Sequence, residues 1–151
     1  SVALIEGLGF SPSDFLVFHP AGTLGALLLP VEKIMGIGDA IPKVDRSATL
    51  SHATVEMSRK RYGATAIADD DDKLEGVFTD GDLRRCIAFY DLNSPIVDHM
   101  SSNPVTVSAK TMCSDALRIM NMNAVSVIFV VDGDRLVGVA HMHDIVRTGV
   151  V

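Results

Sequence analysis

No tryptophan occurs in the 151 residues, and aromatic side chains make up only 5% of them. A surface that stacks successive bases of a single strand needs more rings than that. Two cysteines, Cys86 and Cys113, are too few and too far apart for a disulfide framework, so free thiols in a reducing cytosol are expected. No apolar run approaches the roughly 18 residues of a membrane helix. Runs such as Leu27-Leu28-Leu29 and Val127-Ile128-Phe129-Val130-Val131 are only of strand or core length. The first residues show no basic flank leading into an apolar stretch, so no signal peptide is expected. Basic residues are outnumbered, 13 to 19, for a net charge of −6. That balance argues against a broad nucleic-acid face, because phosphate contacts need clustered Lys and Arg.

What is present is a globular composition, 48% apolar and 21% charged. It fits one ordinary domain or two small ones packed together, and it is too apolar for disorder. Ser1 followed by Val2-Ala3-Leu4-Ile5 does not open like a whole protein, and a chain cut from a longer polypeptide is expected.

A twofold repeat organises most of the sequence. Val31-Glu32-Lys33-Ile34-Met35 recurs as Ile96-Val97-Asp98-His99-Met100, and the step Ile41-Pro42-Lys43-Val44 as Asn103-Pro104-Val105-Thr106-Val107. Leu50, Ala53 and Met57, then Cys113, Ala116, Leu117 and Met120, have helical spacing, with Thr49 and Thr111 as N-cap candidates. Strands follow at Thr65–Asp69 and Ile128–Asp132, turns at Asp70–Asp72 and Gly133–Asp134, and second strands with a central glycine at Leu74–Thr79 and Leu136–His141. Short helices close each copy at Asp82–Arg85 and Asp144–Arg147. Each copy therefore reads β-α-β-β-α, an α/β (α+β) unit too small for a robust core of its own. Two copies facing each other across a pseudo-twofold axis would share a core and leave clefts between them.

These pieces resemble a pair of CBS domains, on the two openings ending in Met, the Pro-Val steps and Gly76-Val77-Phe78-Thr79-Asp80-Gly81-Asp82-Leu83-Arg84-Arg85. The resemblance implies a regulatory module that binds adenine nucleotides or related ligands between the copies. His19-Pro20-Ala21-Gly22-Thr23-Leu24-Gly25 and the ending Val139–Val151, with its His141-Met142-His143-Asp144, are further similar to the C-terminal half of the D-arabinose 5-phosphate isomerase family. That family joins a sugar-isomerase (SIS) domain to a CBS pair, and its product feeds Kdo and lipopolysaccharide biosynthesis. Its linker commonly reads His-Pro-Gly-Gly, where this chain has Ala21. The implied division is a linker and SIS tail at 1–30, one CBS domain at 31–93 and a second at 94–151.

Candidate site residues follow. Thr79 sits where a strand turns into a helix, where free N–H groups suit a phosphate. Asp82 has the acceptors for a ribose diol, and Arg84 or Arg85 can neutralise phosphate. On position alone, a capped helix and a solvated arginine face are the simpler account; the resemblance turns Thr79 and Asp82 into ligand contacts. His141 and Asp144 take the matching places in the second copy. Val44 and Val107 are candidates to sandwich a base, against plain core packing. His141 and His143 invite a metal, but a helix beginning near His143 is expected to turn the rings apart, so no metal is assigned. Asp69–Asp72 reads as an exposed turn, since it lacks the calcium-loop pattern. His19, in a stiff turn, is the one catalytic candidate, as an acid–base group in the parent isomerase together with the SIS domain.

The expectation is thus a cytoplasmic, nucleotide- or nucleotide-sugar-sensing module, catalytically inert alone. It needs no cofactor, and its regulatory ligand is AMP, another adenine nucleotide or CMP-Kdo. Its partners are its own SIS domain and copies of itself, a CBS-pair dimer within a parent tetramer, with no nucleic acid or membrane. The alternatives are a ligand-free oligomerisation scaffold and a CBS pair of another sugar-phosphate or nucleotide enzyme. A weaker third is a small His-His-Asp metalloenzyme.

Overall fold

The computed structural model describes Gly25 and residues 27–148. His19 and most of its linker motif lie outside the described residues. The first copy runs β1 (Lys43–Val44), α1 (Leu50–Lys60), β2 (Ala64–Ala68), β3 (Leu74–Thr79) and α2 (Asp80–Cys86). The second runs β4 (Thr106–Ser108), α3 (Cys113–Met122), β5 (Val127–Asp132), β6 (Arg135–His141) and α4 (Met142–Thr148). Each copy makes one three-stranded sheet, ordered β1-β2-β3 and β4-β5-β6. The order strand, helix, strand, strand, helix read from the repeat is the observed one.

Local chemistry explains the boundaries. Thr49 caps α1, its hydroxyl accepting the His52 N–H at 3.2 Å while the His52 ring accepts the Thr49 N–H. Helix α1 ends at Arg61 in the left-handed conformation (φ 67°). The second helix departs from expectation: α3 is capped at Met112, one residue after Thr111, with no side-chain cap bond. Between β2 and β3 the acidic run is a turn held by Asp69, whose Oδ1 accepts the N–H groups of Asp71 and Lys73 at 2.9 Å each. Asp72 is ion-paired with Lys43. Between β5 and β6 stand only Gly133 and Asp134, with Gly133 at φ 67°, the glycine that a two-residue hairpin needs in its first place.

The described backbone gathers into two compact units. In the unit of Gly36–Ser108 and Phe129–Val139, the core is Leu50, Ala53 and Met57 from α1, Ile67 from β2, Phe78 from β3, Cys86 from α2, and Ile96. Ile96 belongs to the opening of the second copy, yet it is fully buried among first-copy residues. Backbone bonds hold it there: Ile96 N–H donates to Ala48 O and Leu50 N–H to Ser94 O, both at 2.9 Å. Further on, Ser101 and Val77 exchange two bonds, at 2.8 and 3.0 Å. The first copy's Gly36 pairs in the same way with Val139 on β6. In the other unit, the buried Val31 donates its N–H to Thr111 O at 2.7 Å, and Leu29 O accepts from Cys113 at the head of α3. The opening segment of each copy is thus packed into elements of the other copy.

This exchange explains the glycine of β3. A Cβ on Gly76 would stand 2.7 Å from the Ser101 carbonyl oxygen and 2.5 Å from the Met100 sulfur. Gly76→Ala is therefore expected to lower the unfolding free energy by about 1–3 kcal/mol, as overpacking does. Urea denaturation of the two chains measures it.

Candidate ligand-binding site

The two strand-to-helix junctions are built alike, 62 residues apart. At the first, Thr79 precedes α2 and its hydroxyl accepts the Asp82 N–H at 3.2 Å. Asp82 Oδ2 accepts the Thr79 N–H at 2.9 Å in return, and its Oδ1 takes Arg85 at 2.6 Å. The Asp80 N–H goes to Gly63 O at 3.0 Å. At the second, Asp144 Oδ2 accepts the His141 N–H at 3.3 Å, and Oδ1 takes Arg147 at 2.9 Å. The Met142 N–H goes to Ser126 O at 2.8 Å. Thr79, Asp82, His141 and Asp144 are all half-buried, so each junction presents a partly accessible carboxylate locked in one orientation.

Three sequence expectations change. The helix-start N–H groups proposed for phosphate are largely used: those of Thr79, Asp80 and Asp82 all have protein acceptors. The arginine that meets Asp82 is Arg85, while Arg84 is exposed on the next position round the helix. The repeat held that signal, since Arg85 matches Arg147 whereas Arg84 matches Val146. The two histidine rings are not turned apart. Helix α4 begins at Met142, which leaves His141 as the residue before it. Its ring folds over the first turn, Nδ1 accepting the His143 N–H at 3.0 Å with ring centroids 4.7 Å apart. Among the described residues no group of three His, Cys, Asp or Glu is arranged to hold a metal ion.

The valines lie away from these junctions. Val44 is half-buried against the core on β1, opposite Ile67, whereas Thr79 stands opposite Ala64. That is two strands across and three residues along, or about 10 Å in the strand direction. Val107 is buried on β4, also two strands from its junction on β6. Burial, then the neighbouring His143, hold the His141 imidazole below its usual pKa, with Asp144 opposing. Burial also raises the Cys113 thiol, so it is inert near neutral pH.

A family model for the CBS domain matches residues 31–89 and again 96–150. The chain belongs to the CBS domain family. Among curated proteins it is 43% identical over 157 residues to arabinose 5-phosphate isomerase KdsD of Salmonella typhi, covering all of this chain and 47% of that protein. The Escherichia coli (strain K12) protein of the same name is 44% identical over 154 residues, with the same coverage. The chain thus spans about half the length of these relatives. Among solved structures, the CBS domain pair of MJ0100, in complex with 5′-methylthioadenosine and S-adenosyl-L-methionine, matches with TM-score 0.71 and 21% identity over 80% of this chain and 94% of that one. At that identity the likeness concerns the fold.

Because Thr79 closes the cap on α2, Thr79→Ala is expected to cost about 0.5–2 kcal/mol of stability, and Thr79→Ser much less. Thermal and urea unfolding of both variants distinguish a cap from a side chain that matters only to ligand.

Proposed function

We propose that this chain is the regulatory half of an arabinose 5-phosphate isomerase and that it senses a nucleotide or nucleotide sugar. The observation that carries the reading is the duplicated junction, in which Asp82 and Asp144 recur at one spacing with the same arginine and the same backbone partner. A carboxylate is the acceptor that two hydroxyls of a ribose call for, and its arginine offsets the charge that would repel a phosphate. The adenosine compounds bound by MJ0100, and the AMP in the structure of CBSX2, support an adenine nucleotide as ligand. CMP-Kdo, the activated end-product of the pathway, has a ribose diol too and is the feedback candidate. In the parent enzyme His19 serves the isomerisation beside the SIS domain, in the cytoplasm, and ligand binding biases that contact reciprocally.

Calorimetric titration with AMP, ATP and CMP-Kdo tests the sensing. At least one is expected to bind, and Asp82→Asn or Asp144→Asn, which keep a cap acceptor, should weaken it about tenfold or more by removing a charged hydrogen-bond acceptor. Silence from all three ligands overturns the proposal. Full-length His19→Ala with normal turnover would remove the catalytic role.

One observation favours a second reading, an oligomerisation scaffold. Ile87, Phe89, Tyr90 and Leu92 follow α2 as exposed apolar side chains, Phe89 at 81%. Under that reading none of the ligands produces heat and the variants keep the wild-type oligomeric state.

A further inference from the structure

At the head of α4 the capping group is an imidazole. Nδ1 of His141 accepts the His143 N–H at 3.0 Å. It can do so only while it carries no proton, so the bond requires a neutral ring with its hydrogen on Nε2. Thr79, at the matching place, caps with a hydroxyl lone pair that does not titrate in this range. The His143 ring lies against His141 at 4.7 Å, so two protonated rings would repel at close quarters.

We infer that the first turn of α4 is a pH-responsive element, closed by neutral His141 and released when that ring takes a proton. Charged groups lie on several elements of the same unit as the ring. On α4 they are His143, Asp144 and Arg147. Asp144 is the one that favours protonation, and it is already engaged by Arg147 and by the His141 N–H. On α3, which packs against α4, Asp115 and Arg118 pair with one another at 3.4 Å. Glu32 and Lys110 pair with one another at 2.8 Å in the same unit. The strand side contributes the neutral Ser126, whose carbonyl takes the Met142 N–H.

The sign follows from linkage. The closed turn holds His141 below its ordinary value, chiefly by burial. Its contribution is complete above the unfolded pKa of about 6.5 and is lost as pH falls from there toward the lowered folded value. Asp144 is on that turn and Asp82 is not. Mild acid therefore loosens the second junction and leaves the first capped.

Nuclear magnetic resonance on the whole chain tests this, with the ring nitrogens and the His143 amide followed between pH 8 and pH 5. At pH 8 the His141 ring should carry its proton on Nε2. Protection of the His143 amide against exchange should fall as the ring titrates, about tenfold for each unit by which the closed turn lowers the pKa. His141→Thr, which copies the first junction, should move the cap bond to the Asp144 amide, as Thr79 takes the Asp82 N–H, and keep that amide protected throughout, and His141→Asn serves if the threonine chain does not fold. A proton on Nδ1 at pH 8 overturns the inference. So does an amide that stays protected while the ring titrates, or a substituted chain whose protection falls with pH as the wild type does.

Discussion

The burial of Ile96 among first-copy side chains is the constraint on which the larger unit depends. Leu50, Ala53, Met57, Ile67, Phe78 and Cys86 all turn toward a site that the first copy cannot fill itself. A fully buried isoleucine is worth roughly 1.5–3 kcal/mol over an exposed one, a large share of a small domain's stability. The residues that follow it are then committed. From Ile96, five residues bring the chain to Ser101, where the two backbone bonds to Val77 lay it along β3. That close approach demands the bare Cα of Gly76. One apolar anchor, one strand-like pairing and one missing side chain form a single device.

The same device appears for the first copy's opening, with Val31 buried beside the head of α3 and Gly36 paired to Val139. Its consequence is mutual dependence. Each copy supplies an element that the other's core lacks, so neither sequence half, cut at the Asn93–Ser94 joint, carries its own complete set of contacts. A tandem repeat need not behave in this way; it follows here from a connection that sends each opening segment across to the other copy before its own first strand begins.

Much of this was legible in the residues, and what was not has physical reasons. Helical spacing marked Leu50, Ala53 and Met57 because an apolar stripe has to face a core, and all three are buried. The spans of β2 and β3 followed from turn residues, whose backbone preferences are local. The host of Ile96 was not legible, because a buried isoleucine looks the same in sequence whichever copy receives it. The N-cap falls at Met112 and not at Thr111, where Thr111 O accepts from Val31 and the Cys113 N–H goes to Leu29 O, long-range partners that no local pattern reveals. Arg85 rather than Arg84 meets Asp82 because residues three apart share a helix face, a rule that was available, and the matching Arg147 makes it visible. The meeting of the two imidazoles turned on a single residue in the start of α4.

The paired junctions also bear on how an acidic chain would accept an anionic ligand. A net charge of −6 is a poor guide to the field at any one point, since exposed charges more than a Debye length away, about 8–10 Å, are largely screened. What a ligand meets is the local set, and at each junction the carboxylate is offset by its own arginine. Arg85 is well exposed, so its pairing with Asp82 adds little to stability, and under the proposed function it is the contact that a ligand's phosphate would take over. The carboxylate keeps its place after such an exchange, because its other oxygen is bound to the Thr79 backbone. An acceptor fixed by the backbone beside a loosely held cation is the arrangement that the proposed ligand, with a diol and an anion, would require. The difference between the copies then lies in the residue before the helix, a hydroxyl at one junction and a titratable ring at the other.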